Sequence, residues 1–246
     1  MREDGGMAPP ARYREALPPA AWQGRVKRLW RYRAPETASA PERILPDGCI
    51  DLIWDGQCLF LAGPDRVANT ASIAPGSVLT GVRLAPGVAH GWLGVSMDAL
   101  TGQRVELRDL WGRQAQALEL SLAANNDSAA RLLLHALPDA PADTRMAWLF
   151  ARLSSGDAPR LPELARQLEV SERALRRQCL AHFGYGAKTL DRILRLQRLL
   201  AGASAHRTLT DAALAAGYAD APHLVHDARD LTGLAPTELL QAHGRR

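Results

Sequence analysis

The chain has 246 residues, 47% of them hydrophobic, a length that bounds about two domains and a composition that can fill their cores. Its three cysteines, Cys49, Cys58 and Cys179, form no CxxC pair and no His/Cys cluster, which excludes a disulfide scaffold and a zinc site, implies no metal or cofactor, and fits a reducing cytoplasm. The net charge of +4 lies wholly at the back: Lys/Arg and Asp/Glu balance at 16 each over residues 1–150, against 14 and 10 over 151–246, with five of the seven histidines.

The opening MREDGGMAPPARYREALPPA carries charges and prolines where an export peptide needs an apolar core, and no later run approaches the roughly 20 apolar residues of a membrane span. A partner membrane is therefore not expected. From about Arg43 to Val95, short apolar runs alternate with turn signals. ILPDGCIDLIW breaks at Asp55-Gly56 before CLFLA; Gly63-Pro64-Asp65, Ala74-Pro75-Gly76 and Ala85-Pro86-Gly87 follow. This spacing predicts a small antiparallel β barrel or sheet, cupin-like, within a β-rich region 20–95. Over 98–153 the leucines take helical spacing, as in Leu133, Leu134 and Leu137, then Met146, Leu149 and Leu153. Because those faces need a partner, the helices between Gln114 and Leu153 are the expected dimer surface. All six tryptophans lie in this front part, expected as a sensing or dimerising domain over 1–153.

The segment SSGDAPR, 154–160, has linker composition, and an all-α domain over 161–246 follows. The fold class is α+β. Pro162 suits the first turn of LPELARQL, and Ser171 is an N-cap for SERALRRQCLAHF, whose Leu175, Cys179 and Phe183 recur every four residues. Gly184 and Gly186 end it. A longer helix is expected from about Lys188 to Ala201, with Arg192, Arg195 and Arg198 every third residue. Thr210 or Asp211 then starts DAALAAGY, Asp220 caps APHLVHDARDLTG, and Pro236 opens a last short helix.

Helix, three-residue turn and helix over 161–183 is the spacing of a helix-turn-helix, with the small Ala165 at the crossing and Val170 sealing the turn. The second helix of such a unit enters the major groove by its amino-terminal end. Arg173, Arg176 and Arg177 stand there, on one face opposite Leu175 and Cys179, and arginine is the commonest reader of guanine edges. A solvated arginine-rich surface is the alternative. The pattern repeats over 211–233, and two units on one rigid helix of roughly 21 Å suit consecutive major grooves about 34 Å apart.

LARQLEVSERALRRQCLAHFGYGAKTLDRILRLQRLL and AAGYADAPHLVHDARDLTGLAP together resemble the DNA-binding domain of the AraC/XylS family of transcription regulators. The second stretch is similar to that family's signature through Gly217-Tyr218, Asp220, His223-Leu224 and Gly233-Leu234-Ala235-Pro236. The resemblance implies a bacterial, cytoplasmic transcription factor acting on double-stranded promoter DNA, with RNA polymerase as a further partner if it activates. It also implies that Arg173, Arg176 and Arg177 occupy base-reading or phosphate positions. The second unit departs from the pattern: His226 replaces the usual Arg and Ala228 a large aromatic, while Ala221, Pro222 and Val225 stand where polar residues are common. Base readout is therefore expected from the first unit, with phosphate contacts and shape from the second. Candidate DNA-contacting residues are Ser171, Arg173, Arg176, Arg177 and Lys188, then His223, His226 and Arg229.

RILPDGCIDLIWDG, LAGPD and GVRLAPGVAHGWLGVSMDALTGQRVELRDLWG resemble a domain of uncharacterised function found ahead of AraC-type DNA-binding domains. By analogy with the wider family it implies a small-molecule effector or a homodimer. Trp54, Arg83, His90 and Trp92 are the candidate effector lining. No GxSxG, HExxH or phosphate-binding glycine loop is present, so an enzyme is not expected. Two alternatives stand beside the regulator: an alkylation-repair protein using Cys49, whose neighbours Asp47 and Asp51 disfavour a thiolate, and a helical protein-interaction module without DNA.

Overall fold

The computed structural model describes residues 12–38, 40–202, 205 and 208–243. Residues 1–11, on which half of the export-signal reading rests, lie outside the described residues, as do 244–246 at the end of the expected back domain. An antiparallel sheet of six strands leads: β1 (Arg12–Ala16), β2 (Val26–Arg33), β4 (Asp51–Trp54), β5 (Leu59–Ala62), β7 (Val78–Leu84) and β8 (Arg104–Glu106), in the order β1-β2-β7-β4-β5-β8. The sheet is open, with β1 and β8 at its edges. A separate two-stranded ribbon pairs β3 (Glu42–Ile44) with β6 (Asn69–Ala71).

The turn chemistry places the central hairpin. Asp55 accepts from the backbone N–H groups of Gln57 and Cys58, and Gly56 takes a left-handed φ of 98°, so β4 folds back on β5 with Asp51 opposite Ala62. Strand alternation then sorts the two faces. Leu52, Trp54, Leu59, Leu61, Val82 and Leu84 point into one buried cluster. Trp30, Asp51, Ile53, Gly81 and Arg83 share the other face. Gly81 is required there, because a Cβ would lie 2.0 Å from the Trp30 indole.

The first cluster is closed by α1 (Ala89–Leu93), α2 (Leu107–Trp111), α3 (Arg113–Ala124) and α4 (Ala129–Ala136). Trp92 meets Trp111 edge-on at 4.8 Å, and the buried Glu119 accepts from the Leu59 N–H. Leu122, Leu133, Leu134 and Leu137 are buried in this cluster. The leucine faces expected to form a dimer surface thus have partners within their own chain.

The two buried clusters divide between Leu137 and Met146, ahead of the 154–160 linker. Asp143 caps α5 (Thr144–Ser154) by accepting from the N–H groups of Arg145 and Met146. Met146, Leu149, Phe150 and Leu153 then pack into the second cluster, with the back helices. An apolar face at helical spacing says that a helix needs a neighbour, not which one, so the spacing of Met146, Leu149 and Leu153 does not separate α5 from the helices before it. The back domain continues through α6 (Leu161–Gln167), α7 (Glu172–Phe183), α8 (Ala187–Gly202), α9 (Leu209–Ala215), α10 (Ala221–Thr232) and α11 (Pro236–His243). Among the described residues no helix is long and apolar enough to cross a membrane.

Candidate nucleic-acid interface

Both helix pairs are joined by the same backbone device. In the first, Glu169 takes a left-handed φ of 55°, its N–H donates to the Arg166 carbonyl, and the Val170 N–H donates to the Ala165 carbonyl five residues back. In the second, Gly217 has φ 90°, and the N–H groups of Gly217 and Tyr218 donate to the carbonyls of Leu214 and Ala213. These bonds satisfy the orphan carbonyls at the ends of α6 and α9 and turn the chain sharply. The residue that follows, Val170 or Tyr218, packs into or against the core between the helices. Glu169 is the one described non-glycine residue with positive φ, and it is exposed. Replacing it by glycine relieves that strain and is expected to raise stability by about 0.5–1 kcal/mol, read as a higher unfolding midpoint.

The second helix of each unit begins on a side-chain cap. Ser171 accepts from the Ala174 N–H at 3.2 Å, and Asp220 accepts from the His223 N–H at 2.8 Å. Alanine at Ser171 is expected to cost about 1 kcal/mol, which lowers the midpoint of a chain this size by roughly 2–4 °C. α9 is capped by Thr208, whose hydroxyl accepts from the Asp211 N–H and donates to the Asp211 carboxylate, so the helix starts earlier than the expected Thr210 or Asp211. Thr208 satisfies one donor with its own side chain and fixes the next acid, and that reciprocal pair sets the boundary.

On α7, Leu175, Cys179 and Phe183 are buried. Arg173, Arg176 and Arg177 are exposed together on the opposite side, with Leu180 beside them. None of the three has a hydrogen bond or ion pair among the described residues. Lys188, at the head of α8, is also exposed and unpaired on the same terms.

The arginines of α8 are different. Arg192 donates to Asp227 and Asp230, each at 2.8 Å. Arg195 pairs with Asp191 and its guanidinium stacks on Tyr218. Arg198 donates to the carbonyls of Leu153 (2.7 Å) and Ala216 (3.1 Å). Asp227, with its side chain only 4% exposed, is the hub that ties α10 to α8. Burial, followed by the Asp227 charge, pushes the Tyr218 hydroxyl well above its ordinary value. Sequence reasoning missed this hub, because its pairs join residues some 30 positions apart.

The three second-unit candidates separate. His223 turns toward α8: its Nε2 lies 3.2 Å from Arg195 and its ring meets Tyr218 at 5.3 Å. His226 is exposed, with Nδ1 3.2 Å from Asp230. Arg229 is exposed with no such partner among the described residues. Around them lie Ala221, Pro222 and Val225, so the outward face of α10 offers few donors.

Trp54, Arg83, His90 and Trp92 do not come together as one lining. Trp54 is buried in the front core and donates to Asn126 at 2.9 Å. Arg83 points to the opposite sheet face, where Glu15, Asp47 and Asp51 surround it and Trp30 donates to Asp51. Trp92 is in the front core. His90 stacks edge-on against His182 of α7 at 4.7 Å. Burial holds His182 below its ordinary pKa against the pull of Asp143. The expectation failed because strand parity separates Trp54 from Arg83, and the register of β4 on β7 that sets that parity is not written in either strand.

Cys49 is buried, and burial and then Asp47 push its thiol up to about 12. Cys179 is likewise pushed up to about 12 by burial. Among the described residues no group of three or more His, Cys, Asp or Glu side chains could hold a metal ion.

Paired helices joined by matching turns, with an arginine face on the second helix of one pair, define the class: a DNA-binding transcription regulator with a helix-turn-helix domain. The family models agree, with residues 164–242 matching a helix-turn-helix domain and residues 14–106 matching a domain of unknown function, DUF6597. Each of these two matches covers less than half of the chain. No curated protein matches the chain. Among solved structures, ToxT from Vibrio cholerae is 10% identical over 86% of this chain and 95% of its own, with a TM-score of 0.46. ToxT bound to (E)-4-(8-methylnaphthalen-1-yl)but-3-enoic acid is 10% identical over 87% and 97%, with a TM-score of 0.47.

Proposed function

We propose that the chain is a sequence-specific regulator that seats α7 in the major groove and reads bases with Arg173, Arg176 and Arg177. Ser171 and Lys188 flank that contact. α10 adds phosphate contacts and shape readout, with His226 and Arg229 facing the duplex and His223 acting through Arg195 and Asp227. The observation that carries this is a contrast: the three α7 arginines are exposed and have no partner among the described residues, whereas the three α8 arginines are consumed by internal partners. Control is exerted through the front domain, by a small-molecule effector or by homodimerisation; the front domain ends ahead of α5, short of the expected 153, and α5 belongs with the back domain, whose helix-turn-helix units span the expected 161–246.

The alkyl-acceptor alternative has a specific obstacle, since a buried thiol pushed up to about 12 is protonated at neutral pH and is a poor nucleophile. The test is in vitro selection by the full-length protein from a random-sequence duplex library. Enrichment of a defined sequence, bound more weakly as salt rises, is the expected result. Failure to enrich any sequence would overturn the reading.

A further inference from the structure

The front domain reaches the carboxy-terminal ends of both α7 and α10. α7 closes on Gly184, in the left-handed conformation at φ 78°, and its carbonyl accepts from Arg66 and from the Thr101 hydroxyl, each at 3.1 Å. The fit is tight: a Cβ on Gly184 would lie 2.4 Å from the Thr101 hydroxyl and 2.6 Å from Pro64. α10 closes on Gly233 in the same conformation at φ 72°. There the Leu231 carbonyl accepts from the Ala68 N–H at 2.6 Å, and the Thr232 carbonyl accepts from Arg43 at 2.7 Å. Arg66 and Ala68 are two residues apart on one segment, between β5 and β6, and Arg43 is on β3, the strand paired with β6. A further bond from Gln197 of α8 to the Pro46 carbonyl, 2.8 Å, fixes the same body to the connecting helix.

These contacts share one chemistry. Carbonyls at a helix carboxy-terminus are orphan acceptors at the negative end of the helix dipole, and guanidinium groups suit them. α8 sets the distance between the two units, and the Asp227 pairs tie the middle of α10 to it, which leaves freedom at the far ends of α7 and α10. A third body gripping the far end of each groove-facing helix removes that freedom.

We propose that the β3–β6 ribbon and the 63–68 segment form a strut that places α10 relative to α7, with Arg43 and Arg66 as the positioning residues that join it to the two helices. The inference rests on both units meeting one duplex, as in the reading above. Neither arginine touches DNA in this account; both act through helix placement.

The experiment is hydroxyl-radical footprinting of full-length protein on the duplex selected by the wild type, comparing wild type with Arg43→Ala and Arg66→Ala. Wild type is expected to protect two patches about one helical turn apart. Arg43→Ala is expected to keep the first patch and weaken the second at least threefold relative to it, and Arg66→Ala to do the same. Arg66→Lys, which keeps a cationic donor, should restore much of the second patch. Unfolding midpoints and unchanged protection of the first patch separate a lost tie from a lost fold. Wild-type ratios of the two patches in both alanine variants would overturn the strut, and so would a second patch that strengthens. A single patch for wild type would also overturn it while leaving DNA binding intact, whereas a wild type that selects no sequence would remove the functional reading and the strut with it.

Discussion

Changing Arg173, Arg176 and Arg177 together to alanine is expected to weaken binding to the selected duplex by about a hundredfold or more. A bidentate arginine–guanine pair is worth about 1–3 kcal/mol of discrimination, so even one base contact and two phosphate contacts reach that loss. The dependence of affinity on salt should fall too, by about one unit of slope for each arginine that meets a phosphate. Stability should barely change, because the three side chains are exposed and lose no partner among the described residues. The triple lysine variant separates the two contributions: it keeps the charge and the salt dependence but lacks the planar fork, and is expected to bind with much less preference for the selected sequence. Full salt-sensitive binding by the alanine variant would remove these residues from the interface.

The second large effect is on stability. Replacing Asp227 by alanine leaves Arg192 and Arg195 facing a site that no longer balances them, Arg195 with a side chain only 15% exposed. Breaking a buried pair by removing one partner costs about 3–5 kcal/mol. The lower end applies here, since Asp230 and Asp191 remain beside the two arginines. A loss of about 3 kcal/mol lowers the unfolding midpoint of a chain this size by roughly 6–12 °C. Asparagine at 227 keeps the shape and one acceptor and should cost less. A midpoint within a degree or two of wild type for the alanine variant would show that Asp227 is not the hub.

The helix ends of the back domain were legible because their signals are local. Ser171, Gly184, Asp220 and Gly233 each act on backbone groups within a few residues, so their chemistry can be read without knowing the fold. The arginine face of α7 was legible for the same reason, since helical periodicity alone separates it from Leu175 and Cys179. The α8 arginines were not, because a basic residue at every third position looks identical whether it meets solvent or a carboxylate 35 positions away, as Arg192 meets Asp227. Strands β1 and β2 carry their aromatic residues, Tyr13, Trp30 and Tyr32, among so many arginines that it takes their register, Tyr13 opposite Tyr32 and Glu15 opposite Trp30, to show them as one sheet. β8 is three residues long and sits in a stretch dominated by helical spacing. Glu169 gave no signal, since a left-handed turn residue is ordinarily announced by glycine or asparagine.

Guanine-N7 methylation interference on the selected duplex distinguishes a base-reading first unit from a second unit that holds phosphates and shape. Interference is expected at guanines in the groove that receives α7, lost when Arg173, Arg176 and Arg177 become alanine, with none of comparable strength in the groove that receives α10. Equal interference in both grooves, or interference that survives the triple substitution, would contradict that division of roles.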